Sequence, residues 1–282
     1  MKRYSIGLYE KAMPADITWR ERLMCAKDCG YDFVEISIDE TDERLARLGW
    51  SAQERAELIA TMQEVGLPIR SMCLSAHRKY PLGSTDPATR ARSLQIMEDA
   101  LQLADDLGIR TIQLAGYDVY YEQSTQQTKE LFLDGLRKAA DMAAAKGILM
   151  GFETMENDFM NTTWKAMYYV REVGSPYLGV YPDTGNITNA ALTAGRNVVG
   201  DLASGTGHTI ALHVKESVPG VFREVPFFTG HVDFEALIAQ AWQMGVRRYL
   251  TEMWCVDDAW LASIHEAHDG IAAILDKLAA EE

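Results

Sequence analysis

The chain has 282 residues, 48% hydrophobic and 24% charged, enough for one large α/β barrel or two smaller domains. Its formal net charge is −14, with 27 basic residues against 41 acidic ones, which argues against nucleic acid as a partner. No apolar run approaches the roughly 20 residues that span a bilayer, and charge returns at Glu10 and Lys11, which makes the start a poor signal peptide. A cytoplasmic protein with no membrane partner is expected.

Short runs rich in β-formers alternate with longer amphipathic stretches along the chain. The first strand is read at "YSIGLY" (4–9). A helix follows at "TWRERLMCAKDCG" (18–30), closed by glycine, and a second strand at "DFVEIS" (32–37). Ser51 and Glu54 form a capping box for the helix "SAQERAELIATMQEVG" (51–66), which precedes the strand "IRSMCLS" (69–75). Asp86, then proline at the first helical position, opens the helix "DPATRARSLQIMEDALQLADDLG" (86–108), and the strand "TIQLAG" (111–116) comes next. The helix "TKELFLDGLRKAADMAAAKG" (128–147) leads to "ILMGFE" (148–153). Three more strands are read at "LGVYPD" (178–183), "IALHV" (210–214) and "RYLTEM" (248–253). The helix "DFEALIAQAWQMG" (233–245) lies before the last of them. The terminal helix "IHEAHDGIAAILDKLAAEE" has an apolar face that suits the barrel or a homodimer partner.

Eight strands alternating with helices, and no linker between them, predict one (β/α)8 TIM barrel over residues 1–282. A doubly wound sheet would carry a glycine-rich phosphate fingerprint after its first strand, and "GLYEKAMPAD" has none. Cys25, Cys29, Cys73 and Cys255 form no CxxC pair, so reduced thiols are expected, not a disulfide framework or a zinc–thiolate site.

Barrel chemistry sits where the strands end. Strand five ends on Glu153, strand six on Asp183, strand seven carries His213, and strand eight carries Glu252. Taken singly, a strand-end carboxylate is more often a helix cap, and a lone strand histidine more often a hydrogen-bonded core residue. Together, four such groups on one rim would be costly to bury unpaired, and a divalent cation removes most of that cost. Oxygen and nitrogen ligands without sulfur suit Mn, Mg, Zn or Co.

The chain resembles the xylose-isomerase-like barrels. Within them it resembles the L-xylulose 5-phosphate 3-epimerase group, also called L-ribulose-5-phosphate 3-epimerases, of ascorbate and pentose catabolism. The motifs that carry the likeness are "GLYEKAMP", "CLSAHRKYPLGS", "LAGYDVYYE", "VYPDTGN", "ALHVKES", "VPGVFREVPFFTGHVDF" and "LTEMW". Two places depart from it: Glu156 stands where the group has Asp, and Phe228–Thr229 replaces a Gly–Glu pair near the expected mouth.

The resemblance implies that Glu153, Asp183, His213 and Glu252 hold one divalent metal ion. It also implies an isomerase that epimerises a small phosphorylated ketose at C3 through a metal-stabilised enediolate. Glu153 and Glu252 would move the proton on opposite faces. Lys215, Arg223, His77 and Arg78 are the candidates for the phosphate, with Lys79 beside them. Glu156 and Asn186, each three residues past a ligand, are candidates for substrate hydroxyls. The aromatics of "GYDVYYE" are candidates for a lid. The resemblance also implies a dimer. Three other readings stand beside this one: an epimerase or isomerase of free ketoses, a sugar-binding protein, and an endonuclease of the same superfamily. The last would want more strand-end histidines and a basic groove.

Overall fold

The computed structural model describes residues 2–281. Eight parallel strands form one sheet: β1 (Ser5–Tyr9), β2 (Phe33–Ile38), β3 (Ile69–Leu74), β4 (Thr111–Ala115), β5 (Leu149–Glu153), β6 (Leu178–Tyr181), β7 (Leu212–Val214) and β8 (Arg248–Thr251). The order is β6-β5-β4-β3-β2-β1-β8-β7. Every neighbour pair in that order is parallel. All of β2, β4 and β6 is buried, as befits a parallel sheet covered by helices.

The seam between β6 and β7 closes by single bonds flanking the short seventh strand. Val180 N donates to His208 O at 2.9 Å, Ile210 N to Val180 O at 3.0 Å, and His213 N to Pro182 O at 2.9 Å. This approach needs Gly179: a Cβ there would lie 2.3 Å from the His208 carbonyl oxygen. The result is a nearly closed (β/α)8 barrel, as the strand count predicted.

Helix boundaries follow local chemistry. Thr18 with Glu21, and Ser51 with Glu54, make complete capping boxes. Asp86 caps the helix Pro87–Leu107. The fourth predicted helix begins earlier than the sequence reading placed it, at Gln126, because Thr125 caps it. The helices Thr163–Val173, Thr184–Ala194 and Val198–Ala203 had no counterpart in the sequence reading. The terminal helix spans Trp260–Ala280 and buries Ile264, Ala267, Ile271 and Leu275 within this chain. Among the described residues no helix is long and apolar enough to cross a membrane.

Candidate metal centre and active site

Glu153 closes β5, Asp183 lies just past β6, His213 is the middle residue of β7, and Glu252 follows β8. Each offers one ligand atom, and these atoms all lie within 4.8 Å of one another. All four side chains are buried.

Asp183 is a helix cap and a cluster member at once. Its Oδ1 accepts from Asn186 N at 2.7 Å and so caps the helix Thr184–Ala194. Its Oδ2 faces the cluster, 3.2 Å from Lys215 Nζ. His213 Nε2 lies 3.1 Å from Glu35 Oε1, while Nδ1 stands 3.5 Å from Glu153 Oε1 and 3.6 Å from Glu252 Oε2 without a hydrogen bond. The Gln113 amide donates to Glu153 Oε2. Lys215 Nζ is also 3.2 Å from Glu252 Oε2.

Burial and mutual charge shift these groups strongly. Burial, with the Glu252 charge, pushes Glu153 up. Burial pushes Asp183 up to about 8, against the pull of Lys215. Burial likewise favours neutral Glu252, but the Lys215 ammonium and His213 outweigh it and hold this carboxyl below the usual range. Burial opposes charge on His213, yet its contacts with Glu153, Glu252 and Glu35 hold it well above the usual imidazole range. The protein's own charges therefore keep extra protons on the cluster. A dication among these atoms would displace them. Three carboxylates and an imidazole with an unbonded nitrogen make a donor set that fits a hard or borderline divalent ion.

A cavity opens above the cluster. Tyr9, Cys73, Glu153, Glu156, Asn186, Lys215, Glu252 and Trp254 line it, with Lys11, Arg78, Phe222 and Arg223. Glu156 accepts from the Tyr117 hydroxyl at 2.8 Å and faces Arg223 Nη2 at 3.6 Å. Asn186 Nδ2 donates to Thr154 O at 2.7 Å, which leaves its buried Oδ1 without a partner. Arg78 lies over the rings of Tyr117 and Tyr120, and Arg223 over Trp254.

One expected phosphate contact, His77, is corrected. His77 is buried, with Nε2 3.1 Å from the Ser93 carbonyl, and it is not among the cavity's lining residues. Burial pushes it down to about 4, so it is neutral and turned into the protein. Lys215 does line the cavity, with its ammonium beside the Asp183 and Glu252 carboxylates. His231 places Nε2 2.9 Å from Ser217 Oγ, and Asp233 caps the helix Phe234–Gln243 that follows.

The sequence reading missed Glu35, Gln113 and Thr154, which support the cluster, while Tyr117, one of its lid candidates, braces Glu156 in the cavity wall. The available signal was one polar residue inside an otherwise apolar strand: Glu35 in "DFVEIS" and Gln113 in "TIQLAG".

The family profile of the xylose isomerase-like TIM barrel matches residues 25–278. L-ribulose-5-phosphate 3-epimerase UlaE of Salmonella paratyphi C (strain RKS4594) is 48% identical over 90% of this chain and 88% of its own length. The protein of that name from Salmonella paratyphi A is 45% identical over 98% and 96%. Among solved structures, an L-ribulose 3-epimerase superposes with a TM-score of 0.80 at 20% identity, over 99% of this chain and 96% of that one. The 3-keto-D-glucoside 4-epimerase YcjR from E. coli gives 0.77 at 18% identity, over 96% and 99%. At that identity these two structures speak to the fold alone. The chain belongs to the xylose isomerase-like TIM barrel family.

Proposed function

We propose that this protein is a metal-dependent 3-epimerase that interconverts L-ribulose 5-phosphate and L-xylulose 5-phosphate. An isomerase-class activity on carbohydrate follows from relatives 45–48% identical over most of the chain. The observation that carries the mechanism is the placement of two carboxylates, Glu153 and Glu252. They flank His213 Nδ1 at the floor of one cavity, from strands on different sides of the barrel.

Glu153, Asp183, His213 and Glu252 would hold the ion. When bound, it would supply a Lewis acid that polarises the ketone and favours loss of the neighbouring proton. One of Glu153 and Glu252 takes the C3 proton from its face, and the other delivers a proton to the opposite face, which inverts the centre. Asn186 offers Oδ1 as an acceptor for a substrate hydroxyl, because its amide nitrogen is committed to Thr154. Glu156 is a second hydroxyl contact, pre-set by Tyr117.

The phosphate falls to Arg78 and Arg223. Both line the cavity and stack on aromatic rings, and each stands beyond hydrogen-bond distance of its nearest carboxylate, at 3.8 Å from Glu40 and 3.6 Å from Glu156. Two stacked guanidiniums with donors to spare suit a phosphate dianion.

The test is a comparison of kcat/KM for L-ribulose 5-phosphate and free L-ribulose with Mn-reconstituted protein. The phosphorylated sugar is expected to win, and Arg78→Met or Arg223→Met should remove most of that preference. Glu153→Gln and Glu252→Gln should each lower kcat by about 10²–10⁴. Equal efficiency with both sugars, unchanged in the arginine variants, would move the substrate to free ketoses.

A further inference from the structure

Beneath the four candidate ligands lies a fifth ionisable side chain that the mechanism above does not use. Glu35 sits in β2, fully buried, with Oε1 3.1 Å from His213 Nε2. We propose that Glu35 is a positioning residue of the metal centre: it keeps the His213 proton on Nε2 and so turns the Nδ1 lone pair toward the cation. This rests on the metal reading of the site.

The geometry gives each ring nitrogen one job. Neutral imidazole donates from one nitrogen and accepts at the other, and a carboxylate can only accept. Glu35 therefore selects the Nε2–H tautomer. Nδ1 is left without a hydrogen bond, between Glu153 Oε1 at 3.5 Å and Glu252 Oε2 at 3.6 Å. The ring has little freedom to choose otherwise: Tyr181 packs edge-on against it, centroids 4.6 Å apart at 71°. A carboxylate behind a ligating histidine also raises its basicity.

Strand pairing does not account for the contact. β2 and β7 are not neighbours in the sheet, so Glu35 and His213 meet only by reaching into the barrel interior. Nor does stability account for it well. Glu35 Oε2 has no hydrogen-bond partner, and a buried carboxylate supported on one side is a weak source of folding energy. Gln113 stands in the same relation to Glu153, from β4.

The test measures the Mn dissociation constant by chelator competition for wild type, Glu35→Gln and Glu35→Leu. It also measures the thermal midpoint of each protein without added metal and the imidazole ¹⁵N–¹H correlations of the Zn-loaded forms. Glu35→Leu should weaken Mn about 10–100-fold, with an unchanged or raised metal-free midpoint. Glu35→Gln keeps an acceptor oxygen and should recover part of the affinity. The His213 Nε2–H proton should resonate downfield in wild type, as one hydrogen-bonded to a carboxylate does, and move upfield in the leucine variant. Wild-type affinity in both variants would overturn the proposal. So would a loss of affinity that tracks a falling metal-free midpoint, because that marks a structural role. Should the leucine variant fail to fold, the near-isosteric glutamine variant decides alone: Mn binding weaker than wild type at an unchanged metal-free midpoint supports the proposal. A wild type that takes no Mn would overturn the metal reading itself, and this inference with it.

Discussion

His77 and His213 are both buried imidazoles, and their surroundings drive them in opposite directions. His213 faces three carboxylates and is held protonated by them. His77 meets a single carbonyl oxygen, and burial pushes it from 6.5 down to about 4. The unfolded chain protonates this residue below about pH 6.5, while the fold resists until about pH 4. The stability it contributes is therefore complete above about pH 6.5 and lost as pH falls toward 4, a swing of about 3 kcal/mol. His77→Gln cannot titrate, so its urea midpoint should fall less than that of wild type between pH 7 and 4.5. Parallel pH profiles for the two proteins would contradict this. The four cluster residues were legible in the sequence because they lie at or within two residues of strand ends, where a barrel places chemistry. His77 was misread because it shares a stretch with Arg78 and Lys79, and no sequence pattern distinguishes a ring turned inward from one turned to the mouth. Glu35 and Gln113 were missed because they lie inside strands, where a polar residue is easily taken for an outward-facing one.

Among elements, strands were easier to read than helices. Apolar β-branched runs between glycines mark parallel strands. The helix Thr184–Ala194, "TGNITNAALTA", opens on a run of poor helix formers, "TGNITN". It forms because Asp183 caps it, a local reason, and because Ile187, Ala190 and Ala191 are buried, a tertiary one. The loop after β7 shows a similar override. Phe228 adopts φ +64°, where the resembled pattern carries glycine, and strain of about 1 kcal/mol or more is expected there. Its ring stacks edge-on with Phe234, and it leans on Gly270 of the terminal helix, where a Cβ would meet Cζ at 2.2 Å. This contact ties the Arg223 loop to the terminal helix. Alanine is ordinarily better than glycine in a helix by about 1 kcal/mol. Gly270→Ala should nonetheless destabilise the protein by about 1–3 kcal/mol through overpacking. Phe228→Gly should remove most of that penalty in a double-mutant cycle read by urea unfolding. Additive effects would show that the ring and the helix do not bear on each other.

At the scale of the whole molecule, the barrel gathers groups from far-apart positions and makes their charges interdependent. At neutral pH the surrounding carboxylates hold a proton on His213 against the effect of burial, and burial holds one on Asp183, pushed up to about 8. A cation must displace those protons, so its affinity should rise with pH between about 6 and 8, roughly tenfold per unit for each proton released. Calorimetry of Mn binding in buffers of different ionisation enthalpy should register at least one proton released at pH 7. Binding with no proton release would contradict the cluster's charge pattern. If Glu153, Asp183, His213 and Glu252 hold an ion, chelator should lower the thermal midpoint, since a ligand that binds only the folded site stabilises it.

The central claim is that two carboxylates on different strands act on the two faces of one carbon. Its most direct test is a single-turnover reaction of the Mn-loaded protein with L-ribulose 5-phosphate in D₂O, followed by NMR. The account predicts L-xylulose 5-phosphate carrying solvent deuterium at C3, with Glu153→Gln and Glu252→Gln both blocking the turnover. Product that retains the original hydrogen at C3, or turnover that survives either substitution, would contradict it.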